Sequence, residues 1–475
     1  MDKMKILIAA SEAFPFAKSG GLGDVIGSLP KSFPKETCDV RVIIPKYEYI
    51  PEEYSSQFEP VDVFYVKVGF TEQYVGIQSF VLDGVTYYFV DNEYYFKRPG
   101  LYGYYDDAER FIYFCRAVLE CIPYIDFYPD ILHCNDWQTA LIPFLLQEQY
   151  HWHYLSTKSV FTIHNMKYQG HYGFEDLKGM LNLDFFPAAM EFYSGINLMK
   201  GALYTSDLVT TVSPTYAQEL MTPYYGEGLD GVMRDIGYKV VGILNGIDPT
   251  VYNPNTDKAL FANFSTSQKK KAANKTALQD YLGLPVDKRV PLVSMITRLV
   301  EQKGIDLVMG VIHEILQMDL QLVILGTGDS HYENALREIA YAYPDKVVTI
   351  IDFNEDLSRK IYAASDIFLM PSKFEPCGLS QMIAMRYGAI PIVRETGGLK
   401  DTVQYFNGET GTGNGFSFAN YNAHELLYTL QSAVGLYYDY PKQWSKLVNN
   451  ALKTNFDWKR SAETYLEQFK RITGK

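Results

Sequence analysis

The sequence predicts an α/β protein built on two parallel sheets, and three observations carry that expectation. Short runs rich in Val, Ile and Leu recur with helix-length stretches between them, the series restarts after residue 290, and polar or glycine-rich clusters follow the carboxyl ends of the runs. Continuous apolar runs mark strands buried on both faces, and intervening helices lead from one parallel strand to the next. At 475 residues, and with about 150 residues per domain as a prior, the chain should hold two or three domains.

The first series of strands is expected at 5–10, 40–44, 130–135, 159–163, 208–212 and 240–244. The second is expected at 292–296, 321–325, 347–351, 366–370 and 390–393. Between them lie Asn245-Gly246-Ile247-Asp248-Pro249, then Asn253-Pro254 and the polar stretch 265–275, whose turn chemistry reads as a hinge. The expected division is therefore an N-terminal domain 1–245, a C-terminal domain 246–455 and a closing helix 456–475. In that helix Trp458, Ala462, Tyr465, Phe469 and Ile472 share one face, with Lys470 and Arg471 in the last turn. A piece from 64 to 103 alternates like antiparallel strands around Asp83-Gly84 and ends in an aromatic loop, Tyr94 through Gly103.

Charge and cysteine usage narrow the function classes. A net charge of −13 sets a global field that repels nucleic acid and anionic lipid, so neither is expected as a partner. An anionic substrate would need a local cluster of cations. The five cysteines are scattered with no Cys-x-x-Cys pair, which fits a reduced cytoplasm. The apolar run 6–10 is too short for a signal-peptide core, and no run of 18 apolar residues follows. Nothing in the pattern sets the oligomeric state.

Open α/β sheets bind ligands beyond the carboxyl ends of their strands. In the first series those ends carry Asp136-Trp137, His164-Asn165, Ser213-Pro214 and Asn245-Gly246. In the second they carry Arg298 with Lys303-Gly304, Gly326-Thr327-Gly328-Asp329, Phe353, Glu375-Pro376-Cys377-Gly378 and Glu395-Thr396-Gly397-Gly398. Two loaded edges imply a cleft between the domains.

Lys18-Ser19-Gly20-Gly21-Leu22-Gly23-Asp24-Val25 follows the first strand, with glycines that free the backbone and a lysine beside a helix start. It is not a dinucleotide fingerprint, because Ile26 stands where the third glycine belongs, and it lacks the spacing of a Walker loop. An anion cradle and a plain loop before a helix fit the spacing equally well. Arg298 and Lys303 read either as a grip on two phosphates or as surface charges. No Asp-x-Asp occurs, so no metal or other cofactor is expected; a departing diphosphate must be neutralised by arginine, lysine and helix N-termini. Glu375 reads as a site carboxylate or as a complement to a helix dipole. Cys377 reads as a buried packing residue rather than a nucleophile, and His164 gains interest from its strand-end position.

At these residues the chain resembles bacterial glycogen synthase and plant starch synthase, glycosyltransferases that extend α-1,4-glucan from a nucleotide sugar. The specific pieces are Ser11-Glu12 with 18–25, Phe161-Thr162-Ile163-His164-Asn165 through Tyr168-Gln169-Gly170, Thr210-Thr211-Val212-Ser213-Pro214, and Gly242 to Asp248. They continue in Arg298 with Gln302-Lys303-Gly304, Phe374-Glu375-Pro376-Cys377-Gly378-Leu379, and Thr396-Gly397-Gly398-Leu399.

The resemblance implies two Rossmann-like domains facing across a cleft in the GT-B manner, the last helix crossing back to the N-terminal domain, and retention of anomeric configuration. It implies an ADP-glucose donor and a glycogen or α-1,4-glucan acceptor. By the same carry-over Arg298 and Lys303 hold phosphates, and Lys18 and Gly21, with Asp24 in their motif, approach the diphosphate or the acceptor. Phe353 packs on the base. His164, Asn245, Glu375 and the backbone of Cys377, Gly378 and Leu379 surround the glucose, Asp136 and Trp137 lie near it, and the Thr396-Gly397 motif completes the substrate set. Asn135 departs from the histidine of many relatives, and Phe353 from the tyrosine of some.

Cleavage of the anomeric bond places positive charge on the ring and negative charge on the departing diphosphate, so the cations belong at the phosphate and Glu375 at the glucose. Glu375, Arg298, Lys303 and His164 are thus the expected catalytic set. Two rival readings remain from sequence, a catalytically silent glucan-binding protein of the same fold and a nicotinamide-dependent oxidoreductase.

Overall fold

A computed structural model describes residues 3–183 and 187–475. The chain forms two compact units, Met1–Asn245 together with Trp458–Lys475, and Gly246–Asp457.

Among the described residues the first unit holds a nine-stranded and a three-stranded sheet. The large one contains β1 (Met4–Ala9), β2 (Cys38–Pro45), β3 (Glu59–Val68), β4 (Thr71–Leu82), β5 (Val85–Asp91), β6 (Ile131–Asn135) and β7 (Lys158–Ile163). The small one is made by β8 (His171–Gly173), β9 (Glu191–Phe192) and β10 (Gly195–Asn197), after which β11 (Leu208–Thr211) and β12 (Val240–Gly242) return to the large sheet. Its order is β12-β11-β7-β6-β1-β2-β5-β4-β3. Pairing is parallel from β12 to β5 and antiparallel across β5, β4 and β3. The apolar runs are central strands because both their faces are covered, and all five residues of β6 are buried.

The antiparallel piece turns at Asp83 and Gly84, with φ of 53° and 78°, the positive-φ pair that a two-residue hairpin needs. It is no separate layer, since β5 pairs in parallel with β2 and the hairpin prolongs the main sheet. The closing helix, Trp458–Thr473, buries Trp458, Ala462, Tyr465 and Phe469. The Phe469 ring stacks 6.1 Å from Phe33 and lies 5.9 Å from the His133 ring. Burial of one such side chain stabilises by roughly 1.5–3 kcal/mol.

The second unit contains β13 (Leu292–Ile296), β14 (Gln321–Leu325), β15 (Val347–Ile350), β16 (Ile367–Met370), β17 (Ile390–Arg394) and β18 (Phe416–Phe418). They pair in parallel in the order β15-β14-β13-β16-β17-β18. One core cluster joins Leu278, Leu292, Val323, Leu325, Leu357 and Ile361. The three-residue β18 escaped the apolar-run criterion because it is short.

The hinge reading of 265–275 is corrected. Residues from Gln268 onward belong to the helix Gln268–Tyr281, capped by the Ser267 side chain on the Lys270 N–H. Lys271 donates to Ala363 O at 2.8 Å, and Lys275 pairs with Asp366 at 2.8 Å. Polar composition misled here because a lysine stem packs as an apolar rod while its head finds a buried acceptor. The preceding segment is also fastened within this unit, by Arg386 to Tyr252 O at 3.2 Å and Arg359 to Val251 O at 3.0 Å. Among the described residues no helix is long and apolar enough to cross a membrane.

Candidate active site

In the second unit the sequence brings Lys303 to Glu375 by close backbone packing. Gly304 adopts φ +75°, and a Cβ there would stand 2.2 Å from Pro371 O, so only glycine lets this turn lie against the end of β16. Lys373 N–H then donates to Gln302 O at 2.8 Å, and Gln302 Nε2 to Phe374 O at 3.3 Å. These contacts zip the two segments together. The Lys303 ammonium meets Glu375 Oε2 at 2.6 Å, and the Ser372 hydroxyl donates to the same oxygen at 3.1 Å. Glu375 is 8% exposed. It is therefore an ion-paired carboxylate and not a helix-dipole complement, because the helix begins only at Ser380.

The loop after Glu375 is held from two sides. Gln381 Nε2 donates to Cys377 O at 3.1 Å, Gly378 O at 3.0 Å and the Thr402 hydroxyl at 3.1 Å. Gly398 N–H donates to Glu375 O at 3.3 Å and Pro376 O at 3.1 Å. Thr396 and Gly397 sit directly behind, and a Cβ on Gly397 would stand 2.0 Å from Glu375 O. Cys377 is buried, and Leu379 leads into the helix. The structure thus gathers Lys303, Glu375, Cys377, Gly378, Leu379, Thr396 and Gly397.

Arg298 is exposed at the end of β13, and its guanidinium has no hydrogen bond or ion pair among the described residues. Its loop is backed by Gly326 and Gly328, where a Cβ would stand 1.8 Å from Thr297 O and 2.2 Å from Leu299 O. These glycines serve that close approach. Phe353, 86% exposed, lies beyond β15.

In the first unit β6 and β7 place Asp136 and His164 together. Asp136 has φ 57° and ψ 179°, a conformation rarely adopted by residues other than glycine and found chiefly where function imposes it. Its Oδ1 accepts the His164 N–H at 2.7 Å and the Asn165 N–H at 3.4 Å. Burial nonetheless pushes its carboxyl up to about 7, against those two donors and with a further push from the charge of Glu12.

Asn135 Nδ2 donates to Ala9 O at 3.1 Å and His133 O at 3.4 Å, so its Oδ1 faces His164 Nε2 at 3.0 Å. That network assigns the ring proton to Nε2 and leaves Nδ1 as a free acceptor. Burial lowers the His164 pKa to about 3, so the ring is neutral. Asn135 thereby fixes the ring. Trp137 packs edge-on to Phe111 at 5.2 Å, and Gly170 passes close over its ring. Asn245 is 6% exposed, and its Oδ1 has no hydrogen-bond partner among the described residues.

The glycine loop carries its own ion pair. Lys18 is not a free cation, since its ammonium pairs with Asp24 at 2.7 Å. Gly21 is exposed and opens the helix Gly21–Ser32. The loop is instead organised by Glu12, a buried carboxylate whose part the sequence reading missed. Its position just past β1 was the available signal, because the strand-end rule applies to it as to the others. Among the described residues no group of three or more His, Cys, Asp and Glu side chains is gathered as a metal site would require.

Comparison with known proteins identifies the family. Residues 5–235 match the family described as starch synthase catalytic domain, and residues 283–451 match glycosyl transferases group 1. The chain is 52% identical over 478 residues to glycogen synthase of Geobacillus thermodenitrificans, covering 99% of this chain and 98% of that one. It is 53% identical over 469 residues to glycogen synthase of Clostridium acetobutylicum, covering 97% and 98%. Among solved structures it is similar to the catalytic domain of Starch Synthase IV from Arabidopsis thaliana, bound to ADP and acarbose, with a TM-score of 0.92, 37% identity and full coverage of both chains. A sucrose-phosphate synthase from Thermosynechococcus elongatus, at 16% identity, 99% and 100% coverage and a TM-score of 0.63, shares the fold. With half of its residues shared along nearly its whole length, the chain belongs to the glycogen synthase family, GT-B glycosyltransferases that carry out glucosyl transfer in glycogen synthesis.

Proposed function

We propose that the chain moves glucose from ADP-glucose to the non-reducing end of an α-1,4-glucan with retention of configuration. The observation that carries this reading is the pairing of Lys303 with Glu375 beside an unpaired Arg298 at one sheet edge. A pure glucan binder needs no such cations, whereas a departing diphosphate does. The 52% relatives and the ADP-bound starch synthase support the same choice.

In this reading the diphosphate takes Arg298 and draws Lys303 away from Glu375. The released carboxylate then orients glucose hydroxyls and stabilises the positive charge that develops at the anomeric carbon. Phe353 offers an exposed ring to the base. From the first unit, His164 Nδ1 and the unpartnered Asn245 Oδ1 accept sugar hydroxyls. Asp136 sets the His164 backbone, Trp137 supplies an apolar wall, and Lys18, Gly21 and Asp24 form the loop that meets the diphosphate or the acceptor. The backbone of Cys377, Gly378 and Leu379, backed by Thr396 and Gly397, faces the donor. Five buried free thiols favour a cytoplasmic setting.

The test offers ADP-glucose and UDP-glucose separately with a glycogen primer and measures chain extension and nucleotide release. Extension with ADP release is expected. Failure with both donors would overturn the reading.

A further inference from the structure

Glu12 lies just past the carboxyl end of β1 and is 3% exposed. Its Oε2 accepts the backbone N–H groups of Ser19 and of Gly20, the latter at 3.3 Å. Its Oε1 accepts the Ser19 hydroxyl at 3.1 Å and the Tyr102 hydroxyl at 3.1 Å, while the Tyr102 oxygen also lies 2.7 Å from Ser11 Oγ. Tyr102 comes from the aromatic loop, itself anchored by the buried Arg110 through Tyr95 O at 2.8 Å and Leu101 O at 3.1 Å. The helix start crowds the same carboxylate, since a Cβ on Gly23 would stand 3.3 Å from Oε2 and 3.0 Å from Lys18 Cγ. One side chain thus ties the glycine loop to the aromatic loop.

Burying a carboxyl group is costly unless its acceptors are used, and here both oxygens are. The donors are N–H and O–H groups of the loops. Among the described residues no cation shares the carboxylate, so its work is geometric. We propose that Glu12 is a positioning residue that holds the Lys18–Gly21 loop in the conformation used for transfer, through hydrogen-bond geometry and not through charge or proton movement. Only the kinetic consequence rests on the glucosyl-transfer reading.

The neutral isostere separates the alternatives. Glu12→Gln keeps an oxygen for the two backbone donors and turns an amide toward the two hydroxyls, which can accept from it. Glu12→Ala removes the acceptor of the Ser19 and Gly20 amides and of the Ser19 hydroxyl, and leaves the Tyr102 hydroxyl with Ser11. Amide hydrogen exchange at Ser19 and Gly20 is measured together with kcat and KM for ADP-glucose on the full chain. Glu12→Ala is expected to speed exchange at those two amides about 10-fold or more and to lower kcat about 10- to 100-fold, the scale of a misplaced site. Glu12→Gln is expected to stay within about threefold of the parent in both.

A Gln variant as impaired as the Ala variant would overturn the proposal in favour of a charge or proton role. An Ala variant with slow exchange and full turnover would overturn it outright. Should Glu12→Ala fail to fold, Tyr102→Phe decides with Glu12→Gln. It leaves both backbone donors in place, so exchange should remain slow, and fast exchange would contradict the assignment. A parent chain inert with both nucleotide sugars counts against the proposed reaction, and the exchange measurement then decides Glu12 alone.

Discussion

At the scale of the residue, the two cations proposed to meet the diphosphate differ in state. Lys303 is compensated by Glu375 at 2.6 Å, whereas Arg298 is unpaired and exposed. Removing either should lower kcat by on the order of 10² to 10³, as for loss of one preorganised electrostatic donor. Their effects on stability should differ. Arg298→Ala breaks no hydrogen bond or ion pair among the described residues and should leave the thermal midpoint within about 1 °C of the parent. Lys303→Ala leaves a buried carboxylate with only Ser372 among the described residues and should lower the midpoint by several degrees, at about 2–4 °C for each kcal/mol lost in a unit of this size. Steady-state kinetics and calorimetry on the two variants check both statements. An Arg298→Ala variant with parental turnover would remove Arg298 from the reaction.

At the scale of the element, the helix Gln268–Tyr281 shows what sequence reading loses. Its lysines and glutamines look solvated, yet Lys271 and Lys275 are buried against Ala363 and Asp366. Burial lowers the Lys271 pKa from its usual 10.5 to about 7, opposed by Asp366 and assisted by the neighbouring Lys275. A lysine depressed in the folded state binds more protons when unfolded, so stability rises with pH between the folded and unfolded values. Between pH 7 and pH 8, below the ordinary range of the cysteine thiols, one such group contributes roughly 1 kcal/mol. The parent should therefore unfold at a higher temperature at pH 8 than at pH 7, and Lys271→Met should flatten the slope. An equal slope in both proteins would contradict the assignment.

The apolar strands were legible because their signal is local. The hairpin was visible through Asp83-Gly84, but its junction with β2 was not, since parallel pairing of distant segments leaves no mark in either one.

At the scale of the whole molecule, the proposed reaction asks a chain of net charge −13 to hold an anionic donor through a few placed cations rather than through its overall field. The two sheets, their loaded carboxyl edges and the amphipathic last helix could be read from pattern and position. Side-chain partners could not. Lys303 and Glu375 are 72 residues apart, and Tyr102 and Glu12 are 90 apart. Only the folded backbone, with its glycines at 304 and 397, brings such groups within a hydrogen bond. Lys18 and Asp24 were legible as members of one motif, but their ion pair was not.

The most direct measurement of the central claim is the fate of the anomeric carbon. ADP-glucose carrying ¹³C at C1 is supplied with a glycogen primer, and the product is followed by carbon NMR. The account predicts that the label appears in new α-1,4 linkages with matching release of ADP. Label recovered as free glucose, in a β-linkage, or unchanged in the donor would contradict it.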